Sequence, residues 1–326
     1  MRRREFLGAL GATAAWPLDA RAERADKVYR IGYLGLASAA AQATRMKALR
    51  EGLGALGYIE GKNIAIEERR LEGSYDPVQL AELAAQVVDL KPDVIVTHGP
   101  AVLAAKRATT TIPIVIAQTG DAVATGLVAS LARPGGNVTG MTFFGPELAV
   151  KRLELLKEAV PDLAQVGALT DPENPISKLY LAAMKLAAQS LKLELSEFAV
   201  RVPSDLAGAF AAMTAKPVGA FVRIEEPVPI YNAEAIAQLA MKYRLAACGF
   251  VEFAQAGGFM GYGVNFPEMW RHAATFVGKI LKGAKPADLP VEQPTKFVTI
   301  VNLKTARAIG METPTSLLLR ADEVIE

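Results

Sequence analysis

Short apolar runs alternating with helical repeats constrain this chain more than any single motif. Val28-Tyr29-Arg30-Ile31-Gly32-Tyr33-Leu34 reads as a strand, and Met46, Leu49, Leu53 and Leu56 then recur at helical spacing up to Gly57. Residues 63–67 predict a second strand, and Leu80, Leu83, Ala84 and Val87 a second helix. Residues 93–97 and 113–117 are β-branched runs, as expected for strands covered on both faces. The pattern resumes after a break near Gly145, with strands over 165–169, 193–199, 219–224 and 245–250 and helical patterns between them. Alternation of this kind means parallel sheets wrapped by helices, and two blocks mean two α/β lobes. The glycine-rich stretches 135–145 and 257–263 read as crossings between the lobes. A long helix with Ala273, Phe276, Val277, Ile280 and Leu281 ends at Gly283. A proline-bearing loop over 284–294, a strand over 298–301 and a helix over 303–309 complete the chain.

The first 22 residues belong to neither block. Arg2, Arg3 and Arg4 form a positive start, Arg3-Arg4-Glu5-Phe6-Leu7 resembles a twin-arginine signal, and a short apolar run follows to Trp16. Ala20-Arg21-Ala22 reads as a cleavage site, so residues 1–22 are expected to be an export signal and the mature protein to work in the periplasm from Glu23 onward. The segment carries Arg2, Arg3, Arg4 and Arg21 against Glu5 and Asp19. Of the chain's 36 basic and 34 acidic residues, 32 of each therefore lie beyond it. A balanced surface of this kind offers no bulk field for nucleic acid or an anionic membrane. Cys248 is the single cysteine, set in an apolar run. It reads as a buried thiol and leaves neither an internal disulfide nor a lipid anchor after the signal.

Catalytic motifs are missing. The chain has no Gly-x-Ser-x-Gly elbow, His-Glu-x-x-His pair, phosphate-cradling loop or paired-cysteine motif. With only His98 and His272, a three-histidine zinc site is impossible, and no metal or other cofactor is expected. Open α/β sheets bind ligands at the carboxyl ends of their strands. That rule selects Ser38, Thr97-His98-Gly99 and Gly120-Asp121 in the first block. In the second it selects Asp171 to Asn174, Glu225-Glu226 and Phe250 to Phe253, with Tyr262 nearby. Amides at the following helix starts would hold a carboxylate, and Asp121, Asp171 or Glu225 an ammonium, while Phe250, Phe253 and Tyr262 would cover an apolar body. Ser38, Asp121, Asp171 and Asn174 serve equally as helix caps and turn formers.

Several segments resemble the ABC transporter substrate-binding protein family, including its tryptophan and tyrosine binders. These are Leu56-Gly57-Tyr58-Ile59-Glu60-Gly61-Lys62-Asn63-Ile64, the stretch from Val123 to Gly140, and above all Ala284 to Phe297 followed by Val301-Asn302-Leu303-Lys304-Thr305-Ala306. The likeness runs through the whole chain beyond the signal. It implies a type I periplasmic-binding fold: two doubly wound parallel-sheet lobes joined by three crossings, closing on a solute and delivering it to a membrane permease. The expected division is 27–144 plus 266–288 for lobe 1 and 145–265 plus 289–326 for lobe 2. The sequence departs from the aromatic-amino-acid binders at Thr97-His98-Gly99-Pro100-Ala101 and at Thr170-Asp171-Pro172-Glu173-Asn174-Pro175, both in the expected cleft.

The expectation is therefore a monomeric, non-enzymatic receptor for an amino acid or related small organic solute, with an ABC permease as partner. Two other readings are an exported hydrolase using His98 and Asp121, and a ligand-sensing subunit of a signalling receptor.

Overall fold

In the computed structural model, residues 27–72 and 75–326 are described; the expected export signal lies outside them. Five strands form the first sheet: β1 (Tyr29–Gly35), β2 (Ile64–Arg70), β3 (Val94–His98), β4 (Ile114–Gln118) and β5 (Val138–Gly140), in the order β2-β1-β3-β4-β5 and all parallel. Alternate residues of each central strand enter two different cores. Ile31, Tyr33, Val94, Val96, Val115 and Ala117 join α1 (Ala39–Ala55) and α10 (Phe266–Leu281) on one face. Leu34, Ile95, Ile114 and Ile116 join α2 (Pro77–Asp89) and α3 (Ala101–Ala108) on the other. Burial on both faces is why these strands read as continuous apolar runs.

The second sheet has seven strands in the order β12-β11-β10-β9-β8-β6-β7. They are β6 (Gln165–Thr170), β7 (Glu194–Ala199), β8 (Ala220–Arg223), β9 (Ala246–Gly249), β10 (Met260–Gly263), β11 (Val298–Asn302) and β12 (Glu323–Ile325). Helices α4 (Gly145–Ala159) and α5 (Pro175–Ser190) cover one face, and α6 (Asp205–Thr214) and α8 (Ala233–Lys242) the other. Short helices α7 (Pro227–Tyr231) and α9 (Val251–Gln255) follow β8 and β9.

Two expectations need correction. Residues 257–263 are not a crossing, because 260–263 form β10, parallel to β9. The glycines there admit close neighbours: a Cβ on Gly261 would stand 2.9 Å from the Phe250 carbonyl oxygen. The second sheet is also not purely parallel, since β10 and β11 run antiparallel with Met260 opposite Val301. The chain leaves β10 at its carboxyl end, runs through α10 in the first lobe, and re-enters the sheet from that same edge. The first crossing starts at Gly140, whose φ of +128° favours glycine and where a Cβ would collide with the Ile116 backbone. The last two helices, α11 (Leu303–Ile309) and α12 (Thr315–Leu318), lead into β12.

Candidate functional site

Two adjoining cavities lie where the strand ends of the two sheets face each other. The smaller, of about 210 Å³, is walled by Leu36, Ser38, Leu71, Tyr75 and Pro203. The larger, of about 330 Å³, is walled by Tyr75, Pro100, Asp171, Asn174, Arg201 and Glu226. Tyr75 and Val228 line both, so the two form one cleft; its charged residues, Asp171, Glu173, Arg201 and Glu226, all fall in the larger, acidic half, and the smaller half, called apolar below, has none.

The acidic half is built around Glu226, which is buried just beyond β8. Its carboxyl oxygens accept from the Asp171 N–H at 2.9 Å, from Asn174 Nδ2 at 3.2 Å and from the Ser177 hydroxyl. Burial pushes its pKa up to about 8, against the pull of these donors. Asn174 caps α5 at the same time, accepting from the Ile176 N–H at 3.1 Å. Asp171 accepts from the Glu173 N–H at 3.0 Å. In the apolar half, Ser38 caps α1 through the Ala41 N–H at 3.3 Å.

Of the residues selected from sequence, Ser38, Asp171, Glu173, Asn174 and Glu226 line this cleft. His98 lies one layer deeper. Its ring packs against Trp270 at 5.2 Å between centroids and stacks with Tyr33 at 6.4 Å. Its Nε2 is 3.0 Å from Gln42 Nε2 and its Nδ1 3.5 Å from the Tyr231 hydroxyl. Burial, with Arg45 and Arg70 nearby, pushes its pKa down to about 3, so the imidazole is neutral.

Thr97, Gly99, Gly120, Asp121, Glu225, Phe250 and Tyr262 line neither cavity. Thr97 donates its hydroxyl to the Leu34 carbonyl at 2.9 Å, and the Gly99 N–H donates to Gln118 O at 2.9 Å. The Gly120 carbonyl accepts from Thr142 Oγ1 at 3.0 Å. The Asp121 carboxylate caps its own turn, accepting from the Val123 and Ala124 N–H groups at 3.0 Å each. Glu225 is buried in an ion pair with Arg152. Phe250 is buried between Phe266 and the Arg223 guanidinium, and Tyr262 stacks on Phe297. His98 is held by Gln42 and the Tyr33 and Trp270 rings and Asp121 caps its own turn, so each residue of the hydrolase reading is committed to other partners.

The cleft residues that sequence reasoning did not select are Tyr75, Arg201, Val228 and Tyr231, and it left open which of Glu225 and Glu226 faces the cleft. Consecutive residues at a strand end point opposite ways, so only one of the two carboxylates can face the solute side. The Pro227-x-Pro229 punctuation before Tyr231 marked a turn there without saying where the ring would point.

Comparison with known proteins accords with this geometry. The family model for ABC transporter substrate binding protein matches residues 31–325. A tyrosine-binding protein of Clostridioides difficile (strain R20291) is 25% identical over 259 residues, which cover 78% of this chain and 73% of that protein. The solved ABC domain from Streptococcus pneumonia in complex with L-Trp is 27% identical with a TM-score of 0.81, covering 90% of this chain and 100% of that one. A conserved domain protein from Vibrio cholerae O1 biovar El Tor N16961 is 26% identical with a TM-score of 0.85, covering 91% and 100%. The two parallel-sheet α/β lobes are similar to those of type I periplasmic-binding proteins.

Proposed function

We propose that this chain, which belongs to the ABC transporter substrate-binding protein family, captures an aromatic or other apolar amino acid in the cleft around Glu226 and delivers it to a membrane permease. Proteins of this family bind rather than catalyse, and this chain is a binding protein, not an enzyme. The observation that carries the ligand class is the polarity of the cleft. Glu226 and Asp171 stand in one half to meet an ammonium, while Leu36, Leu71, Tyr75 and Val228 line the other to cover an apolar body. Tyrosine and L-tryptophan, named for two relatives, have this chemistry. The lobes follow the expected division, 27–144 plus 266–288 and 145–265 plus 289–326, except that residues 289–292 stay with the first lobe, where the Val291 N–H donates to Leu131 O at 2.8 Å and the Glu292 N–H to Gly140 O at 2.9 Å. The lobes close on the solute.

Titration calorimetry against the common amino acids tests the pose. Glu226→Gln should weaken binding of the best ligand about tenfold to a hundredfold, the worth of a charge-assisted hydrogen bond. Asp121→Asn should leave affinity within about twofold, since an Asn side chain also caps that turn. Affinity should also rise with pH up to about 8, because ammonium binding needs the Glu226 carboxylate ionised and a proton must leave below that pH. A flat pH profile together with full affinity in Glu226→Gln would remove Glu226 from the site. Cells lacking the protein should lose uptake of the same labelled solute.

We also read residues 1–22 as a twin-arginine export signal that places the mature protein in the periplasm. Changing Arg3 and Arg4 to Lys should hold the precursor in the cytoplasm. Mass spectrometry of the exported protein should find Glu23 at its N-terminus. Undiminished export of the Lys pair would assign the ordinary secretory route instead.

A further inference from the structure

Tyr231 separates the cleft from a third cavity. That cavity, of about 330 Å³, lies behind its ring between α1 and α9 and is lined by Arg45, Tyr231 and Glu252. Tyr231 and Glu252 come from the second lobe, at the end of α7 and in the first turn of α9. What they meet belongs to the first lobe. The Tyr231 hydroxyl is 2.9 Å from Gln42 Nε2 and 3.5 Å from His98 Nδ1, and its ring stands edge-on to the His98 ring. Arg45 Nη2 is 3.5 Å from Glu252 Oε1, and the Arg45 guanidinium lies 5.8 Å from the centre of the Tyr231 ring. Gln42 and Arg45 are three residues apart on α1, so one helix face makes both contacts.

The contacts are directed but incomplete. Arg45 Nε, both Glu252 carboxyl oxygens and Gln42 Oε1 are buried with no hydrogen-bond partner. Turning the Gln42 amide over does not change this, since Gln42 still bridges His98 and Tyr231 and leaves its other amide atom without a partner. A buried polar atom that finds no partner within the protein weakens the contact around it. Closure therefore gains the Gln42–Tyr231 and Arg45–Glu252 contacts, while four neighbouring polar atoms find no partner within the protein. A pairing balanced in this way can be tipped by the contacts of a small solute.

We propose that Tyr231 and Glu252 clasp Gln42, His98 and Arg45, and that this clasp sets the ratio of closed to open lobes. It deepens the reading of the cleft as a capture site. Glu252 lines neither half of that cleft, so its effect on capture runs through closure and not through solute contact. Glu252 is a positioning residue; Tyr231 both clasps and walls the cleft.

Spin labels at Val78→Cys on α2 and Leu186→Cys on α5, both exposed, report the lobe separation, with Cys248 buried and unlabelled. Pulsed dipolar distances are measured with no amino acid, with L-tryptophan and with L-tyrosine. The intact clasp should show a short-distance population. Tyr231→Phe combined with Glu252→Gln should reduce its ratio to the long-distance one about threefold to tenfold, the size expected for one lost hydrogen bond and one lost ion pair. Glu252→Gln alone should lower it in the same direction, with an unchanged melting curve showing that the fold is intact. Amino-acid-driven closing that is the same in the variants overturns the clasp alone. Distances that ignore every amino acid, yet lengthen when the clasp is cut, overturn the ligand reading and support the clasp. A long-distance population only, in all three conditions, overturns the clasp.

Discussion

Arg152→Met should cost the fold about 3–5 kcal/mol at neutral pH, the loss expected when one member of a buried ion pair is removed. Arg152 has no exposed surface and ties three elements together from α4. Its Nε donates to the Tyr262 carbonyl at 2.8 Å, Nη1 to the Arg223 carbonyl at 3.3 Å, and Nη2 pairs with Glu225. Methionine would fill much of the space and leave the Glu225 carboxylate buried without its partner. Arg223 sharpens the expectation. None of its guanidinium nitrogens has a hydrogen-bond partner, and it is held between the rings of Phe250 and Phe253 at 4.7 and 4.4 Å. Burial and the Arg152 charge push its pKa down to about 9. Denaturant titration of Arg152→Met against Arg152→Met/Glu225→Leu gives the decisive comparison. The double variant should recover most of the loss, because the orphaned carboxylate is gone. A loss below about 1 kcal/mol in the single variant would mean that Glu225 reaches water by another route.

Trp270→Ala should be comparably severe, about 3–5 kcal/mol, as for other fully buried aromatic truncations. The indole packs on Tyr33 and His98 with centroids 5.9 and 5.2 Å away. Its Nε1–H donates to Gln118 Oε1 at 2.7 Å, joining α10 to β4. Truncation opens a cavity beside both rings and leaves the Gln118 oxygen unpartnered. Trp270→Phe keeps most of the volume and loses the donor, so it should cost about 1–3 kcal/mol. Circular dichroism melting checks both, and equal losses in the two variants would mean that the hydrogen bond, not the volume, holds α10 in place.

Much of the fold was legible in the chain. The β-branched runs at 93–97 and 113–117 became β3 and β4, and the helical spacing of Met46, Leu49 and Leu53 became the buried face of α1. What escaped were short elements whose form comes from neighbours. β10 reads Met-Gly-Tyr-Gly, which carries turn signals, and it is a strand because β9 and β11 supply its hydrogen bonds on either side. β5 has three residues, too few to show a period.

The site was legible to the level of strand ends and no finer. The strand-end rule found the loops that carry Ser38, Asp171 and Asn174, and in the same stroke selected Thr97, Asp121 and Glu225, whose polar groups answer to Leu34, a local turn and Arg152. At a strand end the same oxygen can cap a helix, pair in the core or face a solute, and nothing local distinguishes the three. Alternation of strand and helix, and the lack of any catalytic motif, follow from residue order because hydrophobic period and motif spacing are local. Which of two adjacent glutamates faces the cleft, and that Tyr231 reaches His98 from a position 133 residues away, depend on how two separately wound sheets meet. That meeting is set by contacts between residues far apart in the chain, which only the tertiary structure brings together.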